Sequence, residues 1–165
     1  MTRDALKTQT PQEVTLPRFL SEHFTLEEMI LSQTAARRGI DNKPTPEIVK
    51  NLKETCALLE AVRIALGGVP ILISSGYRSP ALNKAVGGSK TSAHMEGFAA
   101  DFTAPAFGTP LQVARAISAA GIAYDQLIHE FGVWVHIGLR AGALRKEDLS
   151  IFSGTGYLPG LRGKP

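Results

Sequence analysis

The chain has 165 residues, 44% hydrophobic and 20% charged, proportions that fit one globular domain and exclude a largely disordered chain. A net charge of +3 is too small for a polybasic nucleic-acid binder. The one cysteine, Cys56, excludes an internal disulfide and a CxxC metal knuckle.

Residues 1–17 are polar, with scattered Thr, Gln and Pro, and read as a flexible leader. They hold no apolar run of signal-peptide length, and no stretch approaches the roughly 20 apolar residues that span a bilayer. The expectation is a monomer made in the cytoplasm, with no stable membrane insertion and no nucleic-acid partner. Thr25 to Glu28 (TLEE) is a capping box, predicting a helix that runs to about Arg38 and stops at Gly39. Thr45 caps a second, long helix with Pro46 at its first position. Its apolar residues Ile48, Leu52, Cys56, Leu59, Val62 and Leu66 recur at spacings of three and four, so Cys56 is read as core. Pro70 to Ser74 reads as a short buried strand, and Ala99 to Thr103 as another. Pro110 to Ala120 is a helix stopped by Gly121. Gln126 to Glu130 and Val133 to Leu139 read as two strands about a tight turn at Gly132. Helices first and antiparallel strands after predict an α+β fold, a small antiparallel sheet packed with helices. The domain is placed at 18–152, with an irregular tail at 153–165.

The segment that carries chemistry is Ser92 to Asp101 (SAHMEGFAAD). It sets His94 and Asp101 seven residues apart, and both side chains are good zinc ligands. Gly97 between them permits a sharp bend, and Ala99 is small enough to leave room for an ion. Further on, Trp134 to Gly138 (WVHIG) puts His136 on a strand. His94, Asp101 and His136 make three protein ligands and leave a fourth position for water, the pattern of a catalytic zinc. A general base is then needed, and His129 and Glu130 are the candidates. Hairpin parity separates them. A three-residue loop at 131–133 puts Glu130 on the face of His136, whereas a loop of two or four puts His129 there. Glycine is common in three-residue loops, which favours Glu130.

Ser92, His94, Gly97, Ala99 and Asp101 together resemble the SxHxxGxAxD motif of the M15 zinc peptidases. The resemblance runs from about Phe24 to Leu139 and takes in GYRSP (Gly76 to Pro80) and WVHIG. It implies the hedgehog/DD-peptidase fold and a zinc ion held by His94, Asp101 and His136. It also implies Glu130 as base, with His129 as the alternative or as a polariser of the intermediate. In the dipeptidase branch, with its ExxH spacing, Val133 would stand at the base position. Arg78 is implied to contact substrate and stabilise an oxyanion, and Ser92 to hydrogen-bond substrate or a metal ligand. Tyr77 reads as packing, and Asn83 as orienting the Arg78 loop. The implied activity is cleavage of peptidoglycan stem peptides, as a D-Ala-D-Ala carboxypeptidase or an L-Ala-D-Glu type endopeptidase. The implied setting is an endolysin reaching the wall through a holin, or wall remodelling. Alternatives are a non-catalytic zinc module like the hedgehog branch, and a phage virion component for local wall penetration.

Overall fold

A computed structural model describes residues 15–165, so most of the expected leader at 1–17 lies outside the described residues. The Thr25 capping box forms as expected, with the Glu28 carboxylate accepting from the Thr25 backbone N–H at 3.0 Å. The helix it opens is shorter than the sequence suggests. It stops at Ile30 (α1, Leu26–Ile30), and a separate α2 spans Gln33–Arg38. Leu31 turns extended, and Ser32 starts α2 by accepting from Ala35 N–H at 3.2 Å. A serine with a free N–H three residues on competes with helix continuation. Gly39 ends α2 in the left-handed conformation at φ 62°.

Helix α3 (Pro46–Ala65) forms on the Thr45 cap and buries Leu52, Cys56, Leu59 and Val62 completely. β1 (Leu72–Ser75) is an edge strand rather than a buried one, with Leu72 54% exposed. A short α4 (Pro80–Ala85) and a 3-10 turn (Ala93–Glu96) lead into β2 (Ala99–Thr103). Then come α5 (Pro110–Ala119), β3 (Gln126–Glu130) and β4 (Trp134–Gly138). Two strands were not legible in the sequence: β5 (Glu147–Ile151) and β6 (Leu158–Pro159). The stretch 153–165, expected to be irregular, thus contributes β6 to the sheet edge.

The six strands lie in the order β1-β2-β4-β3-β5-β6. The expectation of an antiparallel sheet is corrected here: β5 runs parallel to β3, so the sheet is mixed. The loop after β4 carries the chain back to the start of β3, where Glu147 N–H donates to Asp125 O at 2.9 Å. Side chains alternate across each strand. Ala100, Phe102, Leu127, Val135 and Ile137 face the helices and join one core with α3 and α5. Ala99, Asp101, Trp134, His136 and Glu130 fall on the opposite parity, where the cleft lies.

Helix α3 also supports the Ser92–Asp101 segment from behind. Fully buried Thr55 donates to Gly97 O at 2.8 Å, and Asn51 Nδ2 donates to Glu96 O at 2.8 Å. Thr55→Val keeps the shape but leaves the Gly97 carbonyl without its buried donor. The expected cost is about 1–3 kcal/mol. At this size that lowers the melting midpoint by roughly 2–4 °C per kcal/mol, readable by calorimetry. Thr55→Ser should retain most of the stability, and an unchanged midpoint in Thr55→Val would show the bond to be dispensable.

Candidate active site

The 3-10 turn brings His94 to the cleft floor. Ser92 caps the turn by accepting from His94 N–H at 3.4 Å, and Gly97 closes it at φ 76°. A Cβ on Gly97 would also lie 3.0 Å from the Ile48 carbonyl, so only glycine serves both demands. His94 is 2% exposed, and its Nδ1 donates to Gly76 O at 2.6 Å. That bond fixes the tautomer and leaves Nε2 as a bare lone pair. Asp101 and His136 stand directly opposite each other on β2 and β4.

Three ligand atoms therefore converge. His94 Nε2 lies 3.2 Å from Asp101 Oδ1 and 3.2 Å from His136 Nδ1, and the latter two are 2.8 Å apart. Atoms about 2.0–2.1 Å from a tetrahedral zinc are spaced roughly 3.3 Å apart, so the triangle is nearly of zinc size. Its charge also fits. Burial alone would raise the Asp101 carboxyl, but the charge and hydrogen bonds of His94 and His136 hold it well below the usual carboxylate range. Burial pulls the His94 pKa down, which favours the neutral, ligating imidazole. Among the described residues this is the one cluster of three such side chains with converging atoms.

Arg78 reaches the same point from the other edge. A β-bulge in β1 between Ile73 and Ser75 re-aims the chain just before it. Arg78 Nε donates to Ser75 Oγ at 3.1 Å, and Nη2 to Asp101 Oδ2 at 3.2 Å. Nη1 lies 3.5 Å from Asn83 Oδ1, and Asn83 is itself buried and bonded to Ser89 O at 2.8 Å. Asn83 thus orients the loop, as the sequence suggested. Tyr77 is buried packing, 7% exposed.

The hairpin supplies the carboxylate. Glu130 pairs with Trp134 and Ile128 with His136, so the loop has three residues and Glu130 shares the face of His136. Phe131 (φ 56°) and Gly132 (φ 72°) are both left-handed, the twist that matches a tight hairpin. Glu130 Oε2 accepts from the Trp134 indole N–H at 2.8 Å. Burial raises the Glu130 carboxyl above its usual value, while His136, the indole bond and Arg78 oppose the rise. His129 is not brought to this face. It is buried on the other side, with Nδ1 2.9 Å from Arg162 O and its ring edge-on to Phe152 at 5.6 Å. Strand parity separates it from the triad, which removes it as a partner in the cleft. Val133 is 59% exposed at the hairpin tip. Cys56 is fully buried, its thiol pushed up to about 12 by burial, and is core as expected.

A cleft of about 800 Å³ joins these groups, lined by Arg78, Ser92, His94, Asp101, Glu130 and His136. It also takes in Tyr157 and Arg140, which sequence reasoning missed. Neither belongs to a motif: Tyr157 follows Gly156 in the tail and Arg140 lies past the WVHIG strand. Only the return of β5 and β6 to the sheet brings the tail alongside.

Comparison with known proteins agrees with this geometry. The family described as Peptidase M15 matches residues 22–138, well over half of the chain. The zinc D-Ala-D-Ala carboxypeptidase of Streptomyces albus G is 46% identical over 50 residues, which are 30% of this chain and 20% of that protein. The likeness thus spans about a fifth of that relative's length. With the motif segments brought to one cleft and the family match across them, the chain belongs to the Peptidase M15 family.

Proposed function

We propose that the protein is a zinc-dependent peptidase that hydrolyses peptide bonds of peptidoglycan stem peptides. The observation that carries the reading is the His94–Asp101–His136 triangle with Glu130 and Arg78 in the same cleft. The substrate class follows from the family and from the relative's name, which is that of a D-Ala-D-Ala carboxypeptidase.

His94, Asp101 and His136 would hold the ion. Zinc, when bound, supplies the positive charge that makes a ligated water acidic near neutral pH. Glu130 takes the proton of the attacking water at Oε1, since Oε2 is occupied by the Trp134 indole, and returns it to the departing amine. Arg78 stabilises the charge that develops on the substrate carbonyl oxygen. Its guanidinium has more N–H donors than Ser75, Asn83 and Asp101 use, so donors remain for substrate. Ser92 Oγ accepts from His94 N–H, which helps hold a ligand in place, and its O–H remains available to donate to substrate. One copy of the chain supplies every one of these groups, in keeping with action as a monomer. Among the described residues no helix is long and apolar enough to cross a membrane. We place its action at the wall, in an endolysin role with release through a holin, on the family resemblance alone.

Mass spectrometry of muropeptides after digestion tests the proposal and identifies the bond. Purified protein should carry about one zinc and release shortened stem peptides, and chelator should stop the release. Lysis that survives chelation would overturn the metal mechanism. Bound zinc with no peptide product would leave a metal-binding module in its place.

A further inference from the structure

The cleft has two chemically different ends, set by the antiparallel pairing of β3 and β4. Glu130 and Trp134 face each other at one end of the pair, and Gln126 and Gly138 at the other. The triad lies between, at His136. The Glu130 end is aromatic, with Trp134 and Phe131 rings 5.4 Å apart. The Gly138 end is charged, lined by Arg140, Arg145 and Asp125.

These two arginines are not equivalent. Arg145 is already neutralised: it donates to Asp125 Oδ2 at 2.6 Å and Oδ1 at 3.0 Å, and its Nη1 lies 3.5 Å from Glu147. No hydrogen bond or ion pair engages Arg140 among the described residues, though it is close enough to help Arg145 hold the Asp125 carboxyl down. Its backbone position is fixed, since Leu139 N–H just before it donates to Phe98 O at 2.7 Å. An unspent, exposed guanidinium two residues past β4, lining the cleft that holds the triad, is suited to fork onto a planar anion.

We propose that Arg140 forms an anion subsite of the cleft, which takes a carboxylate of the bound peptide. The subsite rests on the peptidase reading for its ligand. Arg140 follows His136 by four residues, two of them past the end of β4, a span of at most about 14 Å of backbone. An extended peptide covers that distance in about four residues. The carboxylate recognised therefore belongs to a residue up to four positions from the bond that is cut, and acidic stem peptides are preferred over their amidated counterparts.

Trp134, the one tryptophan of the chain, lines the cleft and serves as the reporter. Zinc-loaded protein is mixed in stopped flow with two stem peptides that differ only in free or amidated side-chain and α-carboxylates of the internal residues. Fluorescence read before turnover gives binding, and product analysis of the same mixtures gives cleavage. Wild type should bind the acidic peptide about five- to tenfold tighter, with the gap closing at high salt. Arg140→Gln should bind both peptides alike with an unchanged melting midpoint, and Arg140→Lys should keep part of the preference. No preference in wild type, or a full preference in Arg140→Gln, overturns the subsite. A preference that depends on Arg140 without any cleavage would sustain the subsite and sink the peptidase reading instead.

Discussion

Glu130→Gln is expected to lower kcat by about 10²- to 10⁴-fold while zinc content and melting midpoint stay at their wild-type values. The glutamine amide is the same size and its oxygen can still accept from the Trp134 indole, which now bonds Glu130 Oε2 at 2.8 Å. It cannot take up a proton from water. Glu130 is not a corner of the ligand triangle, so the metal site should be untouched. Zinc analysis beside steady-state kinetics checks the result. Turnover within about threefold of wild type would remove Glu130 from the mechanism. His129→Ala is the informative companion. Its ring lies across the sheet against Phe152 and the Arg162 carbonyl, so it should cost stability rather than zinc-dependent turnover.

Gly76→Ala should damage fold and metal site together. A Cβ there would lie 2.3 Å from Met29 O and 2.9 Å from Met29 Cα, and both are backbone atoms that cannot swing aside. The next residue holds the same place, since Tyr77 N–H donates to Met29 O at 2.7 Å. Overpacking of this kind costs about 1–3 kcal/mol, sometimes more. The Gly76 carbonyl is also the acceptor that orients the His94 ring at 2.6 Å, and Arg78 N–H donates to His94 O at 3.0 Å. Pushing Gly76 off α1 therefore tilts a zinc ligand. Loss of such a supporting bond typically weakens metal affinity by about 10- to 100-fold. Thermal unfolding and a chelator-competition titration of zinc read the two effects separately. Wild-type values in both would show that the chain relaxes around the added methyl.

The glycine of GYRSP thus has a purpose that its motif does not disclose. The motif pointed to Arg78, whose guanidinium does reach the cleft. Its neighbours in the motif, Gly76 and Tyr77, use their backbones to bracket Arg78 between α1 and the His94 turn. That bracket links residues 29, 76 and 94, and no local pattern reports a contact across such distances.

Local chemistry made several features legible from the sequence. The caps at Thr25 and Thr45, each bonded to an N–H three residues on, depend on neighbours in the chain. The turn at Gly97 and the placement of Glu130 beside His136 are equally short-range, because a three-residue loop fixes strand parity. Short-range competition of the same kind also misled the reading, where Ser32 broke the first helix.

The rest was decided by contacts far apart in sequence. β5 has the sequence EDLSI, with only two apolar residues and a serine as its buried member, and it becomes a strand because β3 offers an open parallel edge. Its return carries Tyr157 to the cleft, while Ser150 in β5 bonds the tail and Phe152, just past β5, packs against His129 on the far face. The sequence by itself determined which residues could bind a zinc ion and which carboxylate could stand beside them, since spacing and parity travel with the chain. Only the tertiary structure decided that, among the described residues, Arg140 stays unpaired while Arg145 is spent on Asp125. Which cation is left over depends on the partners that folding places within reach.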